Sequence, residues 1–354
     1  MIYVEALPAY DGDCLWVEWT HRGAFRRMVI DGGRGTVLLD RLRSLPIDDR
    51  HVDLIVCTHI DVDHIEGLIT LFARLPAGFS VGEVWFNGHR HLTRDVTGPR
   101  QGERLEMLLD KAGVPWNAAF GGSAVVVPDR AEPPIVRLAG LTLTLLAPDW
   151  DALARLDAFW PEAMADLIEP LQGRRRLVDD DATRSLTELA GEAYTPDKSP
   201  ANGSSIAFIA EHEHGGRVLF TGDSPAEALL RGLRRLAGQR RVPVDLCKVP
   251  HHGSARNLSA ELVSTLDCSH WLFSTSGARH GHPDRRAVAR IVAQAPRSLL
   301  VFNYHSLTTA AYADDVEADR HGFRALFPPS GLQGITVRVT VGQVDMAGSR
   351  RPML

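Results

Sequence analysis

The sequence has few cysteines and no long apolar run, and both shortages narrow the class of protein. Its four cysteines form no CxxC pair and lie in or beside apolar stretches, so buried reduced thiols are expected rather than disulfides or metal ligands. No apolar run approaches the roughly 20 residues that span a bilayer. The chain also lacks a basic start followed by an apolar core, the mark of a secretory leader. These features predict a cytoplasmic protein that does not enter a membrane.

Positive charge is also in short supply. The 354-residue chain has 39 Lys and Arg against 44 Asp and Glu, which gives a net charge of −5. This balance argues against non-specific, charge-driven binding to nucleic acid or anionic membranes. Local exceptions include Arg174-Arg175-Arg176 and Arg234-Arg235, which we interpret as solvated helix faces. The composition, 44% hydrophobic and 23% charged, is that of an ordinary globular protein.

Strand and helix patterns alternate along both halves of the chain. Residues 205–211 and 217–220 are expected to form a hairpin through Gly215-Gly216. Each half looks like a strand-rich unit with helices on one side, which predicts an α+β fold, a four-layer αββα sandwich, as a single domain over residues 1–354. Residues 149–200 instead have a polar, charged, helical pattern. We expect a helical insertion over the active site there, with a solvated surface appendage as the alternative.

The densest group of potential metal ligands follows the predicted strand at residues 52–57. His59, Asp61, Asp63 and His64 lie within six residues, directly after this apolar run. A turn at the end of a strand exposes such side chains without disturbing the core. Histidine and carboxylate together suit Zn²⁺, Mn²⁺ or Fe²⁺, and the lack of cysteine in the group favours a catalytic site with an open position over a structural zinc site.

This segment, Thr58-His59-Ile60-Asp61-Val62-Asp63-His64, resembles the His-x-His-x-Asp-His motif of the metallo-β-lactamase superfamily. Asp61 replaces the usual second histidine, a variant similar to the hydrolase domain of the bacterial competence DNA-uptake channel and its soluble relatives. The resemblance covers about residues 1–290 and implies the metallo-β-lactamase fold. Further segments agree with it, in this order: Asp31-Gly32-Gly33, Asn202-Gly203-Ser204-Ser205, Phe220-Thr221-Gly222-Asp223, Lys248-Val249-Pro250-His251-His252-Gly253-Ser254 and His280-Gly281-His282-Pro283.

The resemblance implies a centre of two divalent metal ions. Zn²⁺ is expected, with Mn²⁺ or Mg²⁺ as the alternative at one site. One ion would be held by His59 and Asp61 and the other by Asp63 and His64, while Asp223 would bridge them through its two carboxylate oxygens. Two ions lower the pKa of a shared water and supply hydroxide near neutral pH. Asp63 is expected to orient that hydroxide as well as to bind metal.

The late histidines leave two assignments open. By resemblance to the nuclease branches, His282 completes the site of Asp63 and His64. His251 or His252 then protonates the leaving oxygen or stabilises the phosphorane. The reverse assignment makes His251 the late ligand.

Asn202 and Asp31 are two further positions of interest. Asn202 stands where most relatives have a histidine ligand, and its amide oxygen is a weaker ligand than imidazole. The ion at His59 and Asp61 is therefore expected to be loose, or to be an oxygen-preferring metal. Asp31 is expected to fix the ligand loop from behind, with turn capping as the alternative.

A phosphodiesterase or nuclease is the function that these motifs favour. The carboxylate-rich motif and the His-His-Gly-Ser segment resemble branches that act on phosphate esters, so the expected partner is a nucleic acid or a small phosphodiester. The first alternative is hydrolysis of a carboxylic ester, lactone or thioester, although those branches usually keep the third histidine. The second is a non-catalytic, metal-binding regulatory protein, against which the near-complete ligand set argues.

Overall fold

The computed structural model describes residues 1–92, 104–166, 181 and 183–347. The strands of these parts are β1 (Ile2–Ala6), β2 (Leu15–His21), β3 (Ala24–Ile30), β4 (His51–Val56), β5 (Ser80–Trp85), β6 (Ile135–Leu138), β7 (Leu141–Ala147), β8 (Ala207–His212), β9 (Arg217–Phe220), β10 (Val242–Pro243), β11 (Leu246–Lys248), β12 (Leu266–Asp267), β13 (His270–Phe273), β14 (Leu299–Phe302), β15 (Arg324–Leu326), β16 (Ile335–Thr340) and β17 (Gln343–Met346). The α-helices are α1 (Val37–Arg43), α2 (Val62–Ala73), α3 (Arg104–Ala112), α4 (Trp150–Asp166), α5 (Leu186–Ala190), α6 (Pro200–Gly203), α7 (Ala226–Ala237), α8 (Ala260–Thr265), α9 (Arg285–Gln294) and α10 (Asp315–His321).

Two large sheets form the centre of the structure. The first has the order β17-β16-β1-β2-β3-β4-β5, and the second has the order β15-β14-β13-β11-β9-β8-β7-β6. Strands β3, β4 and β5 are parallel to one another, as are β9, β11, β13, β14 and β15. The predicted hairpin is confirmed, because β8 and β9 pair in antiparallel fashion. Strand β4 is buried along nearly its whole length, as expected for a parallel strand covered on both faces.

Three layers of apolar side chains separate the sheets and helices. The middle layer, between the two sheets, includes Val17, Leu54 and Phe208. An outer layer lies between the first sheet and its helices, and a second lies between the other sheet and helices such as α7 and α9. Helix, sheet, sheet and helix therefore follow one another, which confirms the predicted four-layer αββα sandwich.

The described parts of residues 149–200 contain α4 and α5, which contribute to the outer layers. Leu153 and Leu156 of α4 are buried in the layer over the first sheet, and Leu186 and Leu189 of α5 are buried in the layer over the second. These helices are therefore more than a solvated appendage. Residues 167–180 and 182, with the Arg174-Arg175-Arg176 run, lie outside the described residues. Coverage of the active site by this segment, and the single-domain organisation, stay predictions.

The described residues also show how the cysteines and one arginine pair are exposed to solvent. All four cysteines are buried. Arg234 and Arg235 of α7 are exposed, as expected for a solvated helix face. In this part of the chain, no helix combines the length and the apolar character that a membrane crossing requires.

The parallel strands direct polar residues to one edge of the sandwich. Asp31 follows β3 and the metal-ligand motif follows β4, both in the first sheet. Asp223 follows β9 and the adjacent His251 and His252 follow β11 in the second sheet. Because functional groups of such sheets gather at the carboxyl ends of parallel strands, residues far apart in sequence meet here.

A close contact between Gly67 and Gly32 fixes the position of the metal-ligand motif relative to the first sheet. A Cβ atom on Gly67 of α2 would lie 2.0 Å from the carbonyl oxygen of Gly32. The backbone N–H of Gly67 donates to the oxygen of Gly33 at 2.8 Å, and the N–H of Gly32 donates to the oxygen of His64 at 2.8 Å. The absence of a side chain at Gly67 therefore sets the position of α2 and of His64 in its first turn.

We expect Gly67→Ala to destabilise the protein by about 1–3 kcal/mol or more, because the added methyl group meets rigid backbone atoms. Chemical denaturation would measure the loss. Gly191→Ala is the matched control, since its Cβ would meet no atom closer than 3.6 Å. Equal stability of the two variants would contradict this account of the contact.

Candidate metal centre

The motif after β4 brings its four predicted ligands to the sheet edge. Asp61 is the N-cap residue of α2, so Asp63 and His64 fall in the first helical turn. The rings of His59 and His64 are fully buried, with centroids 4.2 Å apart. Asp61 and Asp63 lie on the solvent side, with side chains 41% and 17% exposed.

Asp223 lies at the centre of a histidine cluster. Its Oδ2 atom is 3.4 Å from Nε2 of both His64 and His252. The same oxygen is 3.6 Å from Nε2 of His251 and 4.0 Å from Nε2 of His59. Two histidines from each half of the chain therefore direct the same ring nitrogen toward one carboxylate oxygen.

Hydrogen bonds on the opposite ring nitrogen set the tautomers of His64 and His252. Nδ1 of His64 is 2.8 Å from a carboxylate oxygen of Asp31, and Nδ1 of His252 is 2.8 Å from the carbonyl oxygen of Ser274. Both partners are pure acceptors, so each Nδ1 must donate a proton. In the neutral ring, Nε2 then carries a lone pair.

The same reasoning applies to His59 and His251. The Thr58 hydroxyl donates to Asp31, so it accepts the Nδ1 proton of His59 at 2.9 Å. Nδ1 of His251 is 3.0 Å from the side-chain oxygen of Asn257, which is also an acceptor. All four neutral rings therefore present an Nε2 lone pair to the shared space around Asp223.

Such an arrangement fits divalent cations. Nε2 of His64 and Nε2 of His252 lie 3.2 Å apart, and in the neutral rings both carry lone pairs. Nε2 of His59 and Oδ1 of Asp223 are buried without a hydrogen-bond partner among the described residues. Buried polar atoms are rarely left unpaired, and imidazole nitrogen with carboxylate oxygen is a donor set for zinc and related ions.

The ligand atoms also group at the spacing that metal binding needs. Those of His59, His64 and Asp223 lie within 4.8 Å of one another, and so do those of Asp63, His64 and His252. The two groups share His64, so they form one continuous centre. Sequence reasoning had placed four of these residues, together with Asp61, in a two-ion site.

The electric field of the pocket favours positive charge. Burial by itself would raise the pKa of Asp223, but His252, His64 and His251 lower it well below its ordinary value. Conversely, burial would lower the pKa of His64 and His252, while the carboxylates around them, Asp223 first, raise it well above the usual range. Protons or metal ions in this space are therefore strongly stabilised.

Asp31 holds the metal-ligand motif in place through hydrogen bonds to Thr58 and His64, as expected for a residue that fixes the ligand loop. This fully buried carboxylate accepts the backbone N–H of Thr58 at 2.7 Å, the Thr58 hydroxyl at 2.8 Å and Nδ1 of His64. Its backbone has a φ of 60°, in the left-handed region. Asp31 thus fixes both His64 and, through Thr58, the orientation of His59.

His251 and His252 are adjacent in sequence but direct their rings differently. Both residues have positive φ, 46° and 54°, and their ring planes lie at 80° to one another. The ring of His252 is buried, whereas the side chain of His251 is 26% exposed. Two consecutive non-glycine residues in this strained conformation are typical of functional sites.

Nδ1 of His251 lies in a polar network formed by Asp197, Asn202 and Asn257. Asp197 accepts the side-chain N–H groups of Asn202 at 2.6 Å and of Asn257 at 3.0 Å, and it lies 3.6 Å from Nδ1 of His251. Asn202, the residue at the usual histidine position, is buried, and its side-chain oxygen has no partner among the described residues. Asp197 belongs to the segment 149–200, so the carboxyl end of that segment reaches the site.

His282 lies next to His251, outside the group of residues around Asp223. Its ring centroid is 5.5 Å from that of His251, and its Nδ1 is 3.1 Å from a carboxylate oxygen of Asp284. The ligand groups found among the described residues do not include it. His252 instead lies 3.6 Å from Asp63, beside His64. The assignment of His282 as a ligand stays a prediction, and the geometry favours His252.

Sequence reasoning assigned no role to three polar residues that contact the centre. Asp13 lies in a turn after β1, Lys248 ends the buried strand β11, and Asp197 precedes α6. A lysine inside an apolar strand was the available signal, because charged residues are almost never fully buried without a partner. The other two have no comparable signal in the sequence.

Comparisons with known proteins give distant structural likenesses. No protein-family model matches the sequence, and no curated protein is similar to it. The chain is similar to a long form of RNase Z from yeast (TM-score 0.42, 9% identity, covering 100% of this chain and 50% of that chain). It is also similar to a possible metal-dependent hydrolase from Veillonella parvula (TM-score 0.40, 13% identity, covering 95% of this chain and 98% of that chain). A mutant of the CmlA β-hydroxylase is similar as well (TM-score 0.40, 15% identity, covering 94% of this chain and 54% of that chain).

The chain thus spans about half the length of the RNase Z and of the β-hydroxylase.

Proposed function

We propose that this protein is a metal-dependent hydrolase that cleaves phosphodiesters, either in nucleic acid or in a small molecule. The observation that carries the proposal is the set of four imidazoles whose Nε2 atoms all face Oδ2 of Asp223. A protein that used these rings for structure alone would pair their nitrogens with hydrogen-bond partners.

The residues divide between two ions. His59 and Asp61 would hold one ion, Asp63, His64 and His252 would hold the other, and Asp223 would contact both. Bound ions supply an activated water nucleophile and neutralise the negative charge of a phosphate group. Zn²⁺ is the expected metal, with Mn²⁺ or Mg²⁺ as the alternative at the site of His59 and Asp61, which has fewer nitrogen donors.

A phosphodiester is favoured over a carboxylic ester by the donor set. Asp61, Asp63 and Asp223 give the centre three carboxylates, and hard oxygen ligands suit metals that also bind phosphate oxygens. The resemblance to the competence DNA-uptake hydrolase supports the same substrate class. Carboxylate-rich ligation together with this resemblance makes phosphodiesters the first substrates to test.

His251 is proposed as the proton donor to the leaving oxygen. It lies next to Asp223, but its side chain is more exposed than that of His59, His64 or His252. Its Nδ1 is held by Asn257, with Asp197 nearby, so Nε2 is the atom left to face a substrate. An alkoxide is a poor leaving group near neutral pH, and a positioned imidazolium can protonate it.

A substrate panel tests the proposed activity. Protein loaded with Zn²⁺ or Mn²⁺ should cleave bis(p-nitrophenyl) phosphate and an unactivated dinucleotide, and Asp223→Ala should abolish both activities. Thioester or lactone hydrolysis without phosphodiester cleavage would show that the substrate class is wrong. Metal binding without hydrolysis of any substrate in the panel would favour a regulatory protein.

A further inference from the structure

Lys248 is buried directly beneath the candidate metal centre. Its side chain is 1% exposed, and its Nζ atom pairs with the carboxylate of Asp13. Nζ also donates to the carbonyl oxygen of Gly222 at 3.3 Å and lies 3.8 Å from Oδ1 of Asp223. The ammonium group is thus enclosed by two carboxylates and a carbonyl at the junction of β9 and β11.

A buried lysine at this position is costly unless it meets a local need for positive charge. An ammonium group loses its hydration on burial, and an apolar side chain would fill the same space in a strand without that cost. The carboxylates of Asp13 and Asp223 lie beside Nζ and offset that cost. They give the ammonium group a stable place next to the central carboxylate.

The two oxygens of Asp223 have different surroundings. Oδ2 faces Nε2 of His59, His64, His251 and His252. Oδ1 is buried, has no hydrogen-bond partner among the described residues and faces Lys248. The carboxylate therefore presents one oxygen to the four imidazoles and turns the other toward the lysine, which differs from the expectation that both oxygens face the metal ions.

Asp13 links this arrangement to a second candidate ligand. One oxygen of Asp13 pairs with Lys248, and the other lies 3.5 Å from Nδ1 of His252. Nδ1 of His252 is the nitrogen that donates to Ser274. A single buried carboxylate is thus in contact with the lysine beside Asp223 and with the ring of His252.

We propose that Lys248 and Asp13 are positioning residues of the metal centre. Lys248 attracts Oδ1 of Asp223 and so leaves Oδ2 alone to face the imidazoles, while Asp13 holds Lys248 and His252 in place. This inference rests on the metal-binding part of the proposed function. The alternative is that Lys248 and Asp13 form an ion pair that stabilises the fold but has no effect on the centre.

The double variant Asp13→Asn with Lys248→Met separates these two roles. It removes both charges, so no uncompensated charge is left in the core, and the chain is expected to fold. We expect its metal affinity to fall by about 10–100-fold, the usual effect of losing a residue that orients metal ligands. Competition with a chromophoric chelator for Zn²⁺ would measure the affinity, and the absorption spectrum of the Co²⁺-loaded protein would report the ligand geometry.

Arg27→Met is the matched control. Arg27 is a nearly buried cation of β3 that pairs with Asp49 and Glu18, away from the metal centre. Its loss should lower the unfolding temperature without changing Zn²⁺ affinity or the Co²⁺ spectrum. Wild-type affinity and spectrum in a folded double variant would overturn the inference and leave the proposed function intact. A wild-type chain that binds no metal would overturn both.

Discussion

The double variant Asp63→Ala with His64→Ala is expected to lose its metal and its hydrolytic activity together. Asp63 and His64 belong to one ligand group with His252, and His64 also belongs to the group of His59 and Asp223. Removing His64 takes away a nitrogen shared by both groups, and removing Asp63 takes away a carboxylate on the solvent side. Neither of these two groups would then keep three members.

The expected loss in hydrolytic rate follows from the role of the metal centre in stabilising charge. The variant should lose at least the roughly 10²–10³-fold in rate that removal of one preorganised charge-stabilising group costs. Elemental analysis and turnover of an activated phosphodiester would measure the two losses. The control replaces His21 and Glu213, another imidazole–carboxylate pair at 2.7 Å, by alanine. Full metal content in the Asp63 and His64 variant would refute the ligand assignment.

His251→Ala and His252→Ala are expected to differ in their effect on metal content. His252 is buried beside Asp63 and His64, so its loss should strip metal from the chain. His251 is more exposed and outside the ligand groups of the described residues, so its loss should leave the metal in place. If His251 is the proton donor, turnover of an unactivated phosphodiester should fall by roughly 10²–10⁴-fold.

The choice of substrate distinguishes the proton donor from a ligand. A nitrophenyl phosphodiester has a leaving group that needs no proton, so His251→Ala should slow it far less than a dinucleotide. Asp197→Asn should produce a weaker form of the same pattern, because Asp197 acts through His251. His282→Ala should leave the metal content unchanged. Loss of metal from His251→Ala would support the reverse assignment, and loss from His282→Ala would restore that residue as the late ligand.

The layers of the fold and the position of the motif could be predicted because their signals are local. The apolar run of β4 followed by four ligands within six residues predicts a strand end that carries a site. The turn at Gly215 and Gly216 similarly predicts the β8–β9 hairpin. Such patterns depend on the chemistry of neighbouring residues and do not require knowledge of distant contacts.

The remainder of the site depends on contacts between distant parts of the chain. Lys248 meets Asp13 across more than two hundred residues, and neither position alone indicates the other. The roles of His251 and His252 depend on two consecutive left-handed backbone conformations, which direct adjacent rings to different partners. Composition also gave no sign that α4 and α5 lie in the core, since the buried leucines are spaced among charged residues.

The metal content of the wild-type chain tests the central claim most directly. Purified protein would be supplied with Zn²⁺ or Mn²⁺, freed of unbound metal and subjected to elemental analysis. The arrangement of four imidazoles around Asp223 predicts two ions per chain, or one tightly bound ion with a second that is lost on dilution. A chain that retains neither Zn²⁺ nor Mn²⁺ after this treatment would contradict the assignment of a metal centre and the proposed function with it.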